Sequence, residues 1–238
     1  MTISRGTLVG PPPATQSTGD PAILAAGHHE DIVVGDRMVR FRAYTRILHW
    51  GVALTFFVCL FTGLPIWTPI FGWMALLFGG LQVCRWLHAW TGIAFAVLAF
   101  VQLIHWAGVM RMGEADRRFV RLGNFLAYMR WETHDEDVGK FNGGQKVLFW
   151  LSTLAALGLL LTGVVLWFPN LFGRELQRIS LLLHDITFIL FTLLIFGHIY
   201  LTIAEPGTFT GMVKGTVTTA WARLHHPRWY RDVTRTRR

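Results

Sequence analysis

The chain has 238 residues, of which 53% are hydrophobic and only 15% charged, and its formal net charge is +8. An average soluble domain has about 25% charged residues, so this composition excludes a disordered protein, a secreted disulfide scaffold and an ordinary cytosolic enzyme. Two cysteines are too few for a disulfide framework or a cysteine-ligated cluster. The composition therefore predicts an integral membrane protein.

The first segment, residues 1–40, contains Pro11-Pro12-Pro13 and scattered Gly, Ser and Thr without hydrophobic periodicity. We predict that it is a flexible segment ahead of the membrane domain. It is not a signal peptide, because no uninterrupted apolar core follows a basic start.

The membrane domain is predicted at residues 41–204, where four apolar stretches are long enough to cross a bilayer, which takes about 20 residues. A fifth uncharged stretch, residues 66–84, contains Pro69 and the adjacent Gly79 and Gly80, so we interpret it as a loop with a short interfacial helix. The fold is therefore predicted to be an all-α integral membrane four-helix bundle. The four spans lie at about residues 47–67, 86–110, 147–168 and 179–204.

The basic residues are distributed unequally between the two sides of this bundle. Nineteen of the 22 Lys and Arg residues lie before the first span, between the second and third, or in the basic tail at 205–238. Only Arg85, Arg174 and Arg178 lie on the other side. The positive-inside rule then predicts a bacterial inner-membrane protein with both termini in the cytoplasm. A fifth span would place the basic tail on the opposite side, against this rule.

Five of the ten histidines fall within the spans, where an ionisable side chain is costly and therefore a functional candidate. His184 and His198 are 14 residues apart in the fourth span, so they share one helix face. Their separation along the axis is about 21 Å at about 1.5 Å per residue. Threading the antiparallel spans places His88 level with His184 near the outer surface, and His49 level with His198 near the inner surface.

Two imidazoles from different helices at one depth can ligate a haem iron from both sides, which leaves no open coordination position and suits electron transfer. We therefore predict two haems. The small residues expected beside the flat porphyrins are Gly51, Gly63, Gly92 and Gly197. Helix packing remains an alternative role for the glycines. Packing or proton relay remains an alternative role for the four histidines. His105 lies at inner depth and could replace His49, although its place beside Trp106 is more typical of an interfacial residue.

The remaining histidines lie in polar segments and are predicted to be ordinary solvated residues. They are His28, His29, His134, His225 and His226.

Several short motifs after residue 40 resemble those of one family. They are Arg46-Ile47-Leu48-His49-Trp50, Leu87-His88 with Gly92, Leu183-His184, Gly197-His198-Ile199-Tyr200, the loop Val138–Lys146 and the tail His225–Arg231. Together they resemble the cytochrome b (gamma) subunit of membrane-bound respiratory formate dehydrogenase.

That resemblance implies a subunit with two b haems, the outer one held by His88 and His184 and the inner one by His49 and His198. It also implies an iron–sulfur beta subunit and a molybdenum- or tungsten-containing alpha subunit as partners, in a complex that can form a higher oligomer. Formate would be oxidised in the partner, so the present chain has no formate-oxidising residues of its own. It would pass electrons to menaquinone or ubiquinone.

The resemblance further implies a quinone site at Asn142, Gly144 and Gln145, whose amide and backbone donors suit a quinone carbonyl. Without it, the same residues would be interpreted as a turn and helix start. Asp185 departs from the family pattern, in which a small residue is expected. We interpret it as an acid in the first turn of the fourth span, favourably placed for the helix dipole, or else as a group that influences the outer haem.

Three other interpretations compete with this one, the first within the same chemistry and the other two from a different class. A cytochrome b subunit of a membrane-bound hydrogenase or related oxidoreductase would use a similar plan with another electron donor. A haem-free membrane anchor needs no histidines matched in depth. A transporter usually has inverted repeats, and we find no internal repeat in this sequence.

Overall fold

The computed structural model describes residues 30–129, 137–205 and 207–235. Four long helices account for most of these residues, and short helices and strands lie at one end of them. The helices are α1 Ala43–Trp67, α2 Leu81–Trp106, α3 Glu114–Phe119, α4 Leu122–Met129, α5 Gly143–Trp167, α6 Arg174–Ala204, α7 Thr208–Lys214, α8 Thr219–His225 and α9 Pro227–Arg235, with a 3₁₀ helix at Pro69–Phe78. The strands are β1 Ile32–Val34, β2 Arg37–Val39 and β3 Thr216–Thr218.

Helices α1, α2, α5 and α6 are long and apolar enough to cross a membrane, which confirms the predicted four-helix architecture. The stretch at 66–84 forms the 3₁₀ helix and does not form a fifth span, because Pro69 begins that helix and Gly79 ends it with a positive φ of 89°. We call the end of the bundle with this helix the hairpin end. The opposite end, where the strands lie, is the sheet end.

The centre of the bundle is packed with aromatic side chains from three helices. Phe56 of α1 lies 5.1 Å from Phe191 of α6 between ring centres, and Phe95 of α2 lies 6.1 Å from Phe191. Outward-facing residues such as Ile47 and Leu190 are more than half exposed. An apolar surface of this kind matches the hydrocarbon core of a bilayer. Within lipid, burying these side chains against other helices would bring no hydrophobic gain.

The sheet end is a folded layer built from both ends of the chain. Strand β2 pairs antiparallel with β1 and also with β3, so that Met38 is opposite Val33 and Val217. The predicted flexible segment is therefore wrong for residues 32–39, and residues 1–29 lie outside the described residues. The predicted basic tail at 205–238 also contains regular structure, namely α7, β3, α8 and α9. Side chains of β3, α8 and α9 pack against β1 and β2 in one hydrophobic cluster.

A polar network fixes the start of the chain to the membrane helices. Glu30 accepts hydrogen bonds from Thr45 Oγ1 at 2.5 Å and from Lys140 Nζ at 2.7 Å. Burial alone would raise the pKa of Glu30, but these hydrogen bonds outweigh burial and hold the pKa below its ordinary value. The ionised carboxylate therefore joins the N-terminal strands, α1 and the loop before α5.

A buried ion pair fixes α3 against the start of α5. Lys146 Nζ lies 2.6 Å from Asp116 Oδ2, and both side chains are more than nine-tenths buried. A Cβ atom on Gly143 would lie 2.7 Å from the carbonyl oxygen of Asp116, so only glycine permits this approach. Because an unpaired buried charge is costly, the pair sets the position of the loop before α5.

His226 is buried at the sheet end, so the prediction that it is solvated is wrong. Its Nδ1 lies 2.6 Å from the carbonyl oxygen of Gly139, and its Nε2 lies 3.1 Å from the Arg40 guanidinium. Burial and the positive charge of Arg40 lower the pKa of His226 well below its ordinary value. Its neighbour His225 pairs with Glu205, while His28, His29 and His134 lie outside the described residues.

We expect acid to loosen the sheet end through His226. In the folded chain this imidazole stays neutral, whereas in the unfolded chain it binds a proton below about pH 6.5. The free energy of unfolding should therefore fall as pH drops below that value, by up to about 1.4 kcal/mol per pH unit for one proton. Hydrogen exchange of β2 and β3 between pH 7.5 and 5.5 measures this effect. The variant His226→Gln should lose this part of the pH dependence, and an unchanged profile in that variant would contradict the assignment.

Candidate functional site

The first site is a pair of histidines near the hairpin end. His88 of α2 and His184 of α6 face each other across the bundle with ring centres 6.2 Å apart and planes inclined by 67°. Each lies two to three turns from the hairpin-end start of its helix. The structure therefore brings together the two histidines that were predicted to share the outer level.

The second pair lies near the sheet end. His49 of α1 and His198 of α6 have ring centres 6.4 Å apart and planes inclined by 63°. His198 therefore faces the histidine predicted from depth, and His105 takes a different place. His105 Nε2 lies 3.1 Å from Thr45 Oγ1, and its ring packs edge-on against Tyr44.

In both pairs the ring centres are as far apart as those of two imidazoles that hold one metal ion between them. A metal–imidazole bond is about 2 Å long, so two rings on opposite sides of one ion have centres about 6 Å apart. Among the described residues, no three His, Cys, Asp or Glu side chains come together as a metal site. Two imidazoles without a third protein ligand would suit a haem iron, which would supply one-electron transfer at each pair.

The hairpin-end histidines are oriented by hydrogen bonds that sequence reasoning missed. His88 Nδ1 lies 3.0 Å from the carbonyl oxygen of Cys59 and 3.4 Å from Thr62 Oγ1. His184 Nδ1 lies 2.8 Å from Thr162 Oγ1. A metal-binding histidine usually donates its other ring N–H to such an acceptor, so Nε2 of each ring is the nitrogen left for a metal.

Glycines on the facing helices make room for these rings. A Cβ atom on Gly63 would lie 2.9 Å from His88 Cε1, and one on Gly163 would lie 3.6 Å from His184 Cε1. Gly92 and Gly197, two of the glycines singled out from sequence, border open space, since a Cβ atom at either position would have no neighbouring side chain within 4 Å. The close ring contacts are therefore made by Gly63, which was also singled out from sequence, and by Gly163, which was not.

The variant Gly63→Ala should displace His88. Its methyl group would overlap the imidazole by a few tenths of an ångström, and overpacking of this kind costs about 1–3 kcal/mol. We expect weaker haem retention at the hairpin end, measured as haem per chain in the purified protein. Gly158→Ala is the control, since its Cβ would make only an ordinary 3.8 Å contact with Thr187. Equal haem content in both variants would contradict this role of Gly63.

Asp185 does not lie in the first turn of its helix, so that prediction is wrong. Helix α6 begins at Arg174, because Gly173 is its N-cap, and this places Asp185 about three turns inside. The Asp185 carboxylate accepts a hydrogen bond from the indole N–H of Trp67 at the end of α1. The residue therefore joins α6 to α1 beside the hairpin-end histidines.

The loop before α5 forms a capping box, which confirms its interpretation as a helix start. The Oδ1 atom of Asn142 accepts a hydrogen bond from Gln145 N at 2.9 Å, and Gln145 Oε1 accepts one from Asn142 N at 3.1 Å. Both side-chain oxygens are thus used, while the two NH₂ groups remain as donors. Gly144 packs against Phe119, from which a Cβ atom would be 3.3 Å away.

Comparison with known proteins gives one consistent family. The model of the family described as Prokaryotic cytochrome b561 matches residues 40–215. The chain is 37% identical over 202 residues to the formate dehydrogenase cytochrome b556 subunit of Haemophilus influenzae, covering 82% of this chain and 83% of that protein. It is 34% identical over 204 residues to the nitrate-inducible formate dehydrogenase cytochrome b556(Fdn) subunit of Escherichia coli, covering 82% and 91%. It is 33% identical over 205 residues to the cytochrome b556(fdo) subunit of the same organism, covering 84% and 95%.

Proposed function

This chain belongs to the prokaryotic cytochrome b561 family, and we propose that it is the cytochrome b membrane subunit of a formate dehydrogenase complex. The observation that carries the proposal is the pairing of four histidines into two sites at opposite ends of one bundle. The choice of formate as electron donor rests on the similarity to formate dehydrogenase subunits over four-fifths of the chain.

His88 and His184 would hold one b haem, and His49 and His198 a second. A haem ligated by two imidazoles supplies one-electron transfer and no substrate binding at iron. The residues of this chain orient the rings, exclude water and keep the imidazoles neutral within an apolar bundle. Phe56, Phe95 and Phe191 fill the space between the two levels.

The direction of electron transfer follows from the placement of charge. Nineteen basic residues belong to the sequence segments 1–46, 111–146 and 205–238. The sheet end would therefore lie in the cytoplasm and the hairpin end outside. An iron–sulfur subunit, itself supplied by a molybdenum- or tungsten-containing catalytic subunit, would deliver electrons at the hairpin end. Transfer to the sheet end would then move negative charge inward and contribute to the membrane potential.

Quinone would be reduced at the sheet end, beside the site of His49 and His198. Menaquinone or ubiquinone accepts two electrons and two protons to become the quinol, and the protons would come from the cytoplasm. The capping box uses only the side-chain oxygens of Asn142 and Gln145. Their NH₂ groups would donate hydrogen bonds to a quinone carbonyl. Gly144, in the first turn of α5, would contribute its backbone N–H.

Optical spectra of the purified complex test this function. We expect two b haems per chain, both reduced by formate and reoxidised by a quinone analogue. Reduction by hydrogen and not by formate would favour the hydrogenase-type alternative. Purified complex without any haem would contradict the proposal, and the anchor or transporter interpretation would replace it.

A further inference from the structure

The two halves of the membrane domain repeat one sequence pattern, contrary to the expectation of no internal repeat. Residues 47–67 match residues 147–167 at seven of 21 positions, and residues 86–106 match 182–202 at seven of 21. The identical pairs in α1 and α5 are Leu48/Leu148, Trp50/Trp150, Leu54/Leu154, Leu60/Leu160, Thr62/Thr162, Gly63/Gly163 and Trp67/Trp167. Those in α2 and α6 are Leu87/Leu183, His88/His184, Thr91/Thr187, Ile93/Ile189, Phe95/Phe191, Leu98/Leu194 and Phe100/Phe196.

The structure gives the repeat a two-fold arrangement. His88 faces its own counterpart His184 at 6.2 Å, and Phe95 faces its own counterpart Phe191 at 6.1 Å. Residues that contact their own equivalents lie on a two-fold axis, as at a symmetric dimer interface. The α1–α2 hairpin and the α5–α6 hairpin are therefore related by an approximate two-fold axis that passes through the hairpin-end site.

The hydrogen bonds around the two histidines repeat in the same way. Thr62 Oγ1 donates to the carbonyl oxygen of Val58 at 2.6 Å, and Thr162 Oγ1 donates to that of Gly158 at 2.7 Å. Each hydroxyl proton is thus used within its own helix, which leaves the oxygen to accept from the facing imidazole N–H. The carbonyl partners also correspond, since His88 bonds to Cys59 and His184 to Leu159, which are 100 residues apart.

We propose that Thr62 and Thr162 are equivalent positioning residues of the hairpin-end haem site. Together with the carbonyl oxygen beside it, each hydroxyl accepts the Nδ1–H of its histidine. This would leave Nε2 for the iron and would lower the reduction potential of a haem bound there. An acceptor on the Nδ1–H makes the imidazole a better electron donor to iron, which stabilises the ferric form. The proposal rests on the haem-binding function proposed above.

The sheet-end site is not part of the repeat. The counterpart of His49 is Phe149, and the counterpart of His198 is Gln102. His49 Nδ1 is buried and has no hydrogen-bond partner among the described residues. Because one ligand lacks such an acceptor, we expect the sheet-end haem to have the higher potential of the two. Electrons that enter at the hairpin end would then move downhill to the sheet end.

The experiment replaces each threonine with valine, which keeps the shape and removes the hydroxyl. Midpoint potentials of both haems are measured by optical redox titration of the intact complex carrying Thr62→Val, Thr162→Val or both. We expect an upward shift of the lower-potential haem alone, larger for Thr162→Val because its oxygen is 2.8 Å from Nδ1 whereas that of Thr62 is 3.4 Å away. The double variant should show the largest shift.

Thr55→Val and Thr153→Val are matched controls, because these hydroxyls bond to Gly51 and Phe149 carbonyls of their own helices. Neither should move a potential. If a valine variant loses its haem, Thr162→Ser decides the matter, since the retained hydroxyl should preserve the original potential. Unchanged potentials in the double variant, or an equal shift of both haems, would overturn this proposal while leaving the two-haem function intact. Absence of haem from the unsubstituted complex would instead overturn the proposed function.

Discussion

Replacing His198 with alanine is expected to remove the sheet-end haem and abolish quinone reduction. His198 is paired with His49 at 6.4 Å, and alanine leaves that site with a single imidazole. One imidazole cannot hold the iron from both faces, so haem per chain should fall from two to one. The hairpin-end haem should remain reducible by formate, because His88 and His184 are untouched. Haem content and formate-reduced spectra of the purified complex measure both effects.

Two further variants make this result specific. His49→Ala should reproduce the loss, since it removes the other half of the same pair. His105→Ala should retain both haems, because His105 contacts Thr45 and Tyr44 and takes no part in either pair. Two haems in His198→Ala, or the loss of one in His105→Ala, would refute the proposed ligand assignment.

The helix bundle and its paired histidines could be predicted because they depend on simple periodic quantities. Span length follows from bilayer thickness, and the level of a histidine follows from its distance to a helix end and the direction of that helix. The predicted neighbours His49 and His198, and His88 and His184, therefore do lie together, although each long helix begins four to five residues before its predicted span. An error of one turn moves both partners little compared with the distance between the two levels.

The sheet end could not be predicted in the same way. Strand β2 at Arg37–Val39 pairs with β3 at Thr216–Thr218, and three-residue strands so far apart in sequence carry no local signal. The burial of His226 depends on the same fold, because its partners Gly139 and Arg40 come from two distant segments. Asp185 was misplaced for a local reason, since α6 begins at Arg174, five residues before the predicted span at 179–204.

The threonines beside the hairpin-end histidines could have been identified from the sequence. The pair Thr62-Gly63 occurs again 100 residues later as Thr162-Gly163. This repetition is recognised only when the first and third spans are aligned with each other. A threonine in an apolar helix is otherwise uninformative, because its hydroxyl can bond to its own backbone. The structure adds the direction of the hydroxyl, which sequence alone does not contain.

The loop before α5 offers a test that separates a structural from a functional role of one residue. Asn142 caps α5 through its oxygen, and its NH₂ group is the proposed donor to quinone. Asn142→Ala removes both functions and should cost about 1 kcal/mol of stability through the lost cap. A fall in quinone reduction in that variant alone would therefore not distinguish the two roles.

Asn142→Ser and Asn142→Asp provide the distinction, because serine and aspartate are good N-caps without an NH₂ group. We expect thermal stability close to that of the unsubstituted protein and two haems that formate still reduces. Quinone reduction should nevertheless fall about tenfold, since one lost hydrogen bond to a reacting group is worth about 1–2 kcal/mol. The measurement is steady-state formate:quinone turnover alongside haem reduction in the same preparation. Full turnover in both variants would show that Asn142 serves only to begin the helix, and quinone binding would then have to be sought among other residues near His198.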